Sequence, residues 1–370
     1  MEIKLARSEI LKGLGLVQGI VERKTTMPIL ANVLLQAQKK SLSLTATDLE
    51  VGMKVPLAAE VLSEGRVTVH ARSIYDLARE LPEDMVHIKV EDSNWVSITC
   101  GKSRFRIVGL PAEEFPSLPE REEGEVKSLD SSVIREMVER TAFAMSSDET
   151  RYSLNGLYIE RFDGGQGTRL RMVATDGHRL SVMDREIGGG WKFPSGAIVP
   201  RKGVMEIKKL VDSGESPVEL WVGKKHLIAY RDQVSLFVRL VDGKFPPYEQ
   251  VIPKKPRRIV SVTRKDLIHA LRRVSVLSTD RTRGVKFKFS PKNIDIYASN
   301  PDIGEAREEL SAQYKGEAFE AGFNAKYFLD VLTSIEDDQA VLGLGDETSP
   351  CVIRSEHDKG FTHVIMPMRL

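Results

Sequence analysis

One short segment combines residue types that acid–base catalysis uses. Residues 175–179 read Thr-Asp-Gly-His-Arg, which places an imidazole two positions after a carboxylate, and such a pair can transfer protons near neutral pH. No nucleophile and no second carboxylate motif accompany it. The same Ala-Thr-Asp start occurs at 46–48, where Leu-Glu follows instead of Gly-His. We therefore interpret the segment as a structural turn modified for binding, in preference to an enzyme's catalytic pair.

Histidine, cysteine and glycine give no pattern of a metal or cofactor site. The seven histidines lack ligand spacing, and the two cysteines, Cys100 and Cys351, each end a separate strand-like run. The glycine-rich segments 164–167 and 188–190 lack the Gly-Lys-Ser/Thr ending of a phosphate-binding loop. We expect no cofactor and no metal, and two reduced, buried thiols of a cytoplasmic protein.

Positive charge is concentrated on helices. Three predicted helices, at 7–24, 201–211 and 264–278, carry net charges of +2, +3 and +3, and three others are neutral, so with +1 overall the remainder is −7. A near-neutral chain does not hold nucleic acid by bulk charge alone, but a surface lined by such helices attracts phosphates without reading bases. For any one helix the alternative is a solvated face. Few aromatic residues accompany the charges, which favours duplex over single-stranded DNA.

The elements that carry these residues occur three times. Ala-Thr-Asp at 46–48 and 174–176 and Ala-Ser-Asn at 298–300 lie 128 and 124 residues apart, so the repeating unit is a whole domain. Each copy begins with an amphipathic helix, the first after a predicted N-cap at Ser8, and continues with alternating strands and a second helix. The pattern predicts an α+β fold of three tandem two-helix, antiparallel-sheet domains.

Proline and charge mark the domain boundaries. The segments 111–130 and 245–260 have the composition of linkers, which predicts domains at 1–125, 126–256 and 257–370. The first five residues, Met-Glu-Ile-Lys-Leu, are unlike a signal peptide, and no run is long enough to span a membrane.

Six segments resemble a known family. They are 26–30 (Thr-Met-Pro-Ile-Leu), 47–50, 175–180, 199–203, 240–246 and 364–370 (Val-Ile-Met-Pro-Met-Arg-Leu). In this order they closely resemble the bacterial DNA polymerase III β subunits, the replicative sliding clamps, over essentially the whole chain. The resemblance implies a DNA clamp fold and a head-to-tail homodimer, a six-domain ring around duplex DNA.

The resemblance also implies a function without catalysis. A closed ring slides on DNA and keeps a tethered polymerase at a high effective concentration. The implied partners are duplex DNA of any sequence, a second copy, the replicative polymerase, the clamp loader, and other polymerases and repair proteins that present short linear peptides. No membrane is implied. The alternative is a sequence-specific or other non-ring DNA-binding protein, although no helix-turn-helix or zinc spacing is visible.

Three sites follow from the resemblance, residue by residue. The partner-peptide pocket would comprise Leu154, Thr175, Gly177, His178, Arg179, Leu180, Pro246, Val251, Tyr327, Val364, Met366, Pro367, Met368, Arg369 and Leu370. Its rim departs from the family pattern at Ser153 and Gln250, where we expect tyrosine and arginine in many relatives. The DNA-facing residues would be Lys24, Arg72, Arg151, Tyr152, Arg201, Lys202 and Arg283. The dimer contact would join Arg104, Phe105 and Arg106 of one protomer to Val276, Leu277, Glu305, Glu308 and Glu309 of the other.

Overall fold

The helices recur in pairs along the chain. The computed structural model describes residues 1–22, 26–39, 41–82, 84–163, 167–189, 191, 196–278 and 283–369. Within them the α-helices are α1 (Arg7–Val17), α2 (Ala71–Glu80), α3 (Ser131–Glu139), α4 (Arg201–Asp212), α5 (Arg264–Ser275) and α6 (Ala325–Ser334).

Antiparallel strands make up most of the rest. In the first third of the chain they are β1 (Glu2–Ala6), β2 (Asn32–Gln38), β3 (Ser41–Thr47), β4 (Val51–Leu57), β5 (Glu60–Ser63), β6 (Gly65–His70), β7 (Met85–Val90), β8 (Trp95–Cys100) and β9 (Ser103–Leu110). The middle third contains β10 (Lys127–Leu129), β11 (Gly156–Asp163), β12 (Thr168–Thr175), β13 (Arg179–Glu186), β14 (Ala197–Pro200), β15 (Val218–Val222), β16 (His226–Arg231) and β17 (Val234–Arg239). The last third contains β18 (Arg258–Thr263), β19 (Gly284–Ser290), β20 (Asn293–Asn300), β21 (Gly304–Gln313), β22 (Phe319–Asn324), β23 (Gln339–Leu344), β24 (Cys351–Arg354) and β25 (Phe361–Ile365).

The chain forms two compact units, each built on one continuous sheet. Unit 1 comprises 1–132, 191–194 and 202–240, and its 13-stranded sheet has the order β10-β15-β16-β17-β4-β3-β2-β6-β9-β8-β7-β1-β5. Unit 2 comprises 133–190, 195–201 and 241–370, and its 12-stranded sheet has the order β14-β11-β12-β13-β25-β24-β23-β18-β21-β20-β19-β22. The middle third of the chain therefore contributes strands to both sheets.

Each unit buries the apolar stripe of its helices. The α1 residues Ile10, Leu14 and Val17 are fully buried where the helix contacts α2 and β4. In unit 2 the corresponding stripe of α5 packs against α6, β20 and β21. The spacing of these side chains puts them on one helix face, so burying that face removes the apolar area from water and stabilises the helix on the sheet.

The predicted ends of two helices, α1 and α3, were wrong. Ser8 is not the N-cap: α1 begins at Arg7 with Ala6 as the capping residue. The same helix ends at Val17 instead of near residue 24, and α3 ends at Glu139 instead of 145. Apolar side chains after these ends keep a helical spacing because they pack on the core, so spacing alone overestimates helix length.

One strand junction occurs twice with the same register. In unit 1, β4 pairs with β17 so that Gly52 lies opposite Phe237. In unit 2, β13 pairs with β25 so that Leu180 lies opposite Val364. A matching backbone bond closes each junction: Arg239 donates to the Glu50 carbonyl at 2.7 Å, and Met366 donates to the His178 carbonyl at 2.9 Å. Successive copies of the repeat are thus joined by sheet continuation.

An ion network holds the β13–β25 junction of unit 2. Asp358 accepts hydrogen bonds from Arg140 (2.6 Å) and from Arg185 (2.5 Å and 3.0 Å), and Arg185 also bonds Glu136 at 2.7 Å and 2.9 Å. Partial burial raises the pKa of Asp358, but the Arg185 bonds, the Gly360 amide and the charge of Arg140 outweigh it, and its pKa is lowered.

The lowered pKa of Asp358 makes the stability of unit 2 depend on pH. The stabilisation is complete above the unfolded pKa of about 3.9 and is lost as the pH falls through the lower folded value. We therefore expect Asp358→Asn to lower the free energy of unfolding at pH 7 and to have a smaller effect at pH 3. Urea titrations at both values measure this, with Asp302→Asn in an exposed turn as the control. An equal loss at both pH values would contradict the assignment.

Two further observations bear on the class of protein. Cys100 and Cys351 are free and buried, as the sequence indicated. Among the described residues, no helix is both long and apolar enough to cross a membrane.

Candidate partner-binding site and nucleic-acid surface

The turn at 175–179 is held by its own side chains. Thr175 Oγ1 donates to the Arg179 carbonyl at 2.6 Å and accepts from the Gly177 amide at 3.1 Å. Asp176 Oδ1 accepts the amides of His178 (2.9 Å) and Arg179 (3.0 Å). Gly177 has φ of +89°, a conformation that glycine adopts without steric cost. The Thr-Asp pair therefore builds the turn.

The turn at 47–51 repeats this geometry. Thr47 Oγ1 donates to the Val51 carbonyl at 3.2 Å, and Asp48 Oδ1 accepts the amides of Glu50 and Val51 at 2.9 Å and 2.6 Å. The carboxylates of both turns thus accept hydrogen bonds from backbone amides. In the described part of the chain no hydrogen bond joins the exposed His178 ring to Asp176, so the geometry gives no support to a catalytic His–Asp pair.

An apolar cluster lies beside the turn of unit 2. Its buried members come from β12, β13, β24, β25 and the segment after β17: Val173, Leu180, Val182, Tyr248, Val352 and Val364. Partly buried Tyr158, Phe245 and Ile252 pack against them, with the rings of Tyr158 and Phe245 stacked at 4.8 Å between centroids. Two of the predicted pocket residues, Leu180 and Val364, thus lie opposite each other at the β13–β25 junction.

The tail after β25 is anchored at both ends. Met366 donates to the His178 carbonyl at 2.9 Å, and Met368 donates to the Gly322 carbonyl at 2.9 Å. Met366, Pro367 and Met368 are half-buried and Arg369 is exposed, while Leu370 lies outside the described residues. Two flexible thioether side chains beside an apolar cluster suit ligands of varied shape.

Arg179 lies beneath the turn, with only 7% of its surface exposed. It donates to Asp176 (3.1 Å), Asp330 (2.5 Å) and the Phe143 carbonyl (2.5 Å), and it stacks over Tyr327 at 4.5 Å. The arginine therefore connects the turn to α6 through Asp176 and Asp330. Tyr327, another predicted pocket residue, supplies the aromatic ring over which the Arg179 guanidinium lies.

A second polar network supports the cluster through Tyr248. Arg171 bonds both carboxylate oxygens of Asp184 (2.7 Å and 2.8 Å) and the Tyr248 hydroxyl (3.1 Å), which itself donates to Glu160. Burial and the Glu160 bond raise the pKa of Tyr248. Tyr248 therefore stays a neutral hydrogen-bond donor and holds the segment after β17 on the sheet.

The remaining predicted pocket residues lie on neighbouring loops of unit 2. Leu154 is half-buried and bonds the Arg151 carbonyl through its amide at 2.8 Å. Pro246 is exposed, and Val251 is 40% exposed. Ser153 is half-buried and Gln250 is exposed. Sequence reasoning missed Tyr158, Phe245 and Tyr248, although Phe-Pro at 245–246 repeats Phe-Pro at 115–116.

The predicted DNA-facing residues fall into two groups. Arg72, Arg151, Tyr152 and Arg283 are exposed, Tyr152 by 73%. Arg201 is half-buried and reaches the carbonyls of Met145 and Ser146 at 3.4 Å and 3.5 Å. Lys24 lies outside the described residues.

Lys202 has an internal role. Its ammonium group pairs with Asp48, whose side chain is 2% exposed, and donates to the Ile20 carbonyl at 2.9 Å. Both residues belong to unit 1. Part of the positive charge that the sequence assigns to helices is thus used within the protein, as it is for Arg264, which bonds the Leu332 and Asp337 carbonyls.

Loss of the Lys202 ammonium should destabilise unit 1. Lys202→Met leaves a buried carboxylate without its counter-ion, and we expect the free energy of unfolding to fall by about 3 kcal/mol. This is the low end for a broken buried pair because the turn amides still bond Asp48. Chemical denaturation measures the effect. Lys12→Met, on the exposed face of α1, serves as the control, and a similar small loss in both variants would rule out the stabilising role.

The predicted dimer residues lie on two separate strands and one helix end. Phe105 on β9 is 41% exposed and Val276, just after α5, is 72% exposed. Leu277 is half-buried. Arg106 bonds Glu91 at 3.0 Å, and Glu308 accepts two bonds from Arg273 at 2.7 Å each. Arg104, Glu305 and Glu309 are exposed.

Within the described residues, no group of three or more histidine, cysteine, aspartate or glutamate side chains is arranged to hold a metal ion. What unit 2 offers is an apolar surface beside a rigid turn and an anchored tail. Such a surface can bind a ligand that buries apolar side chains.

Comparisons with known proteins agree over the whole chain. Models of the N-terminal, central and C-terminal domains of the DNA polymerase III beta subunit match residues 1–119, 128–247 and 249–369. The beta sliding clamps of Pseudomonas putida and Escherichia coli K12 are 38% and 36% identical, and each alignment covers 100% of both chains.

Solved structures give the same result. A beta sliding clamp of Caulobacter crescentus superimposes with a TM-score of 0.97 at 36% identity, and the Bartonella birtlesii sliding clamp, solved with griselimycin bound, with 0.95 at 36%. Each comparison covers 100% of both chains. The chain therefore belongs to the DNA polymerase III beta subunit family, the beta sliding clamps.

Proposed function

We propose that two copies of this chain close head to tail into a ring around duplex DNA, and that the ring tethers polymerases and repair proteins. As a beta sliding clamp the protein is a non-catalytic processivity subunit in DNA replication. We place its three clamp domains at 1–125, 126–256 and 257–370. The family models match 1–119, 128–247 and 249–369, which supports three domains and the first boundary but puts the second boundary earlier, between 247 and 249. Its site of action would be the cytoplasm, where two free, buried thiols stay reduced.

The main support for the proposal is the strand junction that occurs twice in the chain. The fourth strand of copy 1 (β4) pairs with the last strand of copy 2 (β17), and the fourth strand of copy 2 (β13) pairs with the last strand of copy 3 (β25). The fourth strand of copy 3 (β21) and the last strand of copy 1 (β9) have no such partner in the chain as far as the structure describes it. Among the described residues, 304–311 pair only with β20 and 103–108 only with β8. Two open edges of matching type favour a third, intermolecular junction.

The side chains at these two edges are suited to such a contact. Phe105 and Val108 on β9 are 41% and 62% exposed, and Val276 beside β21 is 72% exposed. Exposed apolar residues on a strand edge indicate an interface. Arg104 on one edge and the pair Glu305 and Glu309 on the other would supply opposite charges across it.

A closed ring explains why the chain needs little net charge. Enclosure prevents sideways dissociation, so weak and sequence-independent phosphate contacts are enough, and the ring stays free to slide. The exposed cations Arg72, Arg151 and Arg283 would supply these contacts. The apolar cluster of unit 2, with Met366 and Met368, would take up the partners' short peptides.

Dependence on DNA topology tests the proposal. Clamp loaded by its cognate clamp loader onto a nicked circular plasmid should elute with that DNA in gel filtration. It should then be lost when a restriction enzyme linearises the plasmid. Retention on the linear form would instead support a non-ring DNA-binding protein, and a stable monomer in solution would refute the ring.

Charge reversal tests the DNA-facing surface. We expect the triple variant Lys24→Glu, Arg201→Glu, Arg283→Glu to load onto nicked circular DNA several-fold less well, whereas each single variant has a small effect, because such contacts are individually weak. The control reverses the exposed Lys54, which is outside the proposed surface. Unchanged loading and retention in the triple variant would count against the assignment.

A further inference from the structure

Unit 1 contains a cavity that the proposed function does not use. It has a volume of about 370 Å³, within the roughly 300–1,000 Å³ typical of ligand sites. Its lining includes Leu49 and Glu50 from the turn before β4, Leu118 from the segment after β9, and Lys225, Phe237 and Arg239 from β17 and the turn before β16.

The cavity occupies the same place in its junction as the candidate peptide pocket does in unit 2. Both lie beside a Thr-Asp turn held by the same set of hydrogen bonds. Phe237 on β17 corresponds in register to Val364 on β25, and Arg239 corresponds to Met366. The same strand junction and turn therefore occur twice, with different side chains beside them.

At the floor of the cavity a small strand residue is paired with a large neighbouring side chain, unlike the equivalent place in unit 2. Gly52 stands where unit 2 has Leu180, and a Cβ at position 52 would collide with Leu118 Cδ2, so the Leu118 side chain occupies the space beside the glycine. Leu118 thus fills the volume that the larger strand residue fills in the other junction. The floor of the cavity is therefore closely packed, and its shape differs from that of the unit 2 site.

The mouth of the cavity holds a leucine in an unfavourable state. Leu49 has φ of +76°, where the equivalent Gly177 has +89°, and 50% of its surface is exposed. A left-handed backbone costs a residue with a Cβ about 1–2 kcal/mol, and an exposed leucine gains little from burial. The folded chain alone thus gives this leucine little stabilisation, whereas a ligand that covers it would bury apolar area.

The charges at the cavity favour an acidic ligand. In the described part of the chain the side chains of Lys225 and Arg239 form no ion pair, and Glu50 is the one acidic residue of the lining. Burial, together with the charges of Arg239 and Lys225, lowers the pKa of His226 although Glu122 opposes this. The ring is therefore neutral near pH 7, and two unpaired cations face the site.

From this geometry we propose that the unit 1 cavity is a second peptide-docking site. It would take a short linear segment of a protein partner whose apolar side chain covers Leu49 and Phe237 and whose acidic side chain lies between Lys225 and Arg239. The class of partner rests on the proposed function, whereas the cavity, the exposed leucine and the unpaired cations do not.

Binding of a synthetic acidic peptide to the full-chain protein tests this. The probe is the fluorescein-labelled hexapeptide Ala-Leu-Phe-Asp-Glu-Asp, followed by fluorescence anisotropy, with Ala-Leu-Phe-Lys-Lys-Lys for comparison. The acidic peptide should bind with one site per chain and the basic peptide at least ten-fold more weakly. The double variant Lys225→Glu, Arg239→Glu should weaken acidic-peptide binding at least ten-fold. Leu49→Gly, which suits the backbone and should fold, should weaken it several-fold.

Two controls separate this site from the others. Lys224→Glu reverses a charge on the same turn outside the cavity and should leave binding unchanged. Met366→Ala with Met368→Ala should also leave it unchanged, because these residues belong to the unit 2 pocket. Loss of binding in the methionine variant would place the peptide in unit 2 and overturn the proposal. Undetectable binding, or unaltered binding in the Leu49 variant, would also overturn the proposal. An equal loss of duplex-oligonucleotide binding in the double reversal would indicate a nucleic-acid contact and would overturn it as well.

Discussion

Leu277→Asp is expected to convert the protein into a monomer of 41.4 kDa. The half-buried leucine follows α5 beside Val276, which is 72% exposed, and both would pack on Phe105 of the second copy. A carboxylate placed in a desolvated apolar contact loses its hydration without gaining a partner. We expect the dimer dissociation constant to rise at least about 100-fold, equivalent to about 2.7 kcal/mol. Sedimentation velocity across a dilution series measures the change.

The matched control is Leu62→Asp on β5. Leu62 is a leucine more exposed than Leu277, at 47%, and it lies on neither of the two open edges. This variant should remain a dimer. A Leu277→Asp protein that still sediments as a dimer would exclude the contact, and monomers in both variants would indicate a general loss of folding.

The second large effect concerns the tail after β25. The double variant Met366→Ala, Met368→Ala should weaken binding of the polymerase's own clamp-binding peptide about 30-fold. Each truncation removes a thioether from an apolar contact, and the pair together should cost about 2 kcal/mol. Isothermal titration calorimetry with the synthetic peptide measures the affinity.

The control for the tail is Met85→Ala. Met85 is an exposed methionine, at 50%, on β7 of unit 1 and should not affect peptide affinity. Backbone bonds from residues 366 and 368 anchor the tail, so the side-chain truncations should leave its course unchanged. Equal affinities for the double variant and the unaltered protein would remove the tail from the binding site.

The internal use of basic residues changes how the charge pattern is understood. Lys202, Arg264 and Arg273 belong to the basic helices, and each bonds a carboxylate or carbonyl groups within its unit. The surplus that faces solvent is therefore smaller than the sequence count suggests. A modest positive surface is consistent with a protein that encloses DNA instead of gripping it.

The sequence by itself determined the repeat, the helices and strands, and the Thr-Asp turns. These depend on local periodicity and on side chains that bond amides two or three residues away, as Asp48 and Asp176 do. It also determined the family, because the motifs at 175–180 and 364–370 lie in the expected order.

Only the tertiary structure decided which charged residues are internal and where concave sites form. Lys202 meets Asp48 across 154 positions of the chain, and Arg179 meets Asp330 across 151. The helix ends, the two continuous sheets and the unit 1 cavity depend in the same way on pairings between distant segments. Local spacing carries no record of such pairings, since side-chain burial is set by the packing of segments that the chain brings together only on folding.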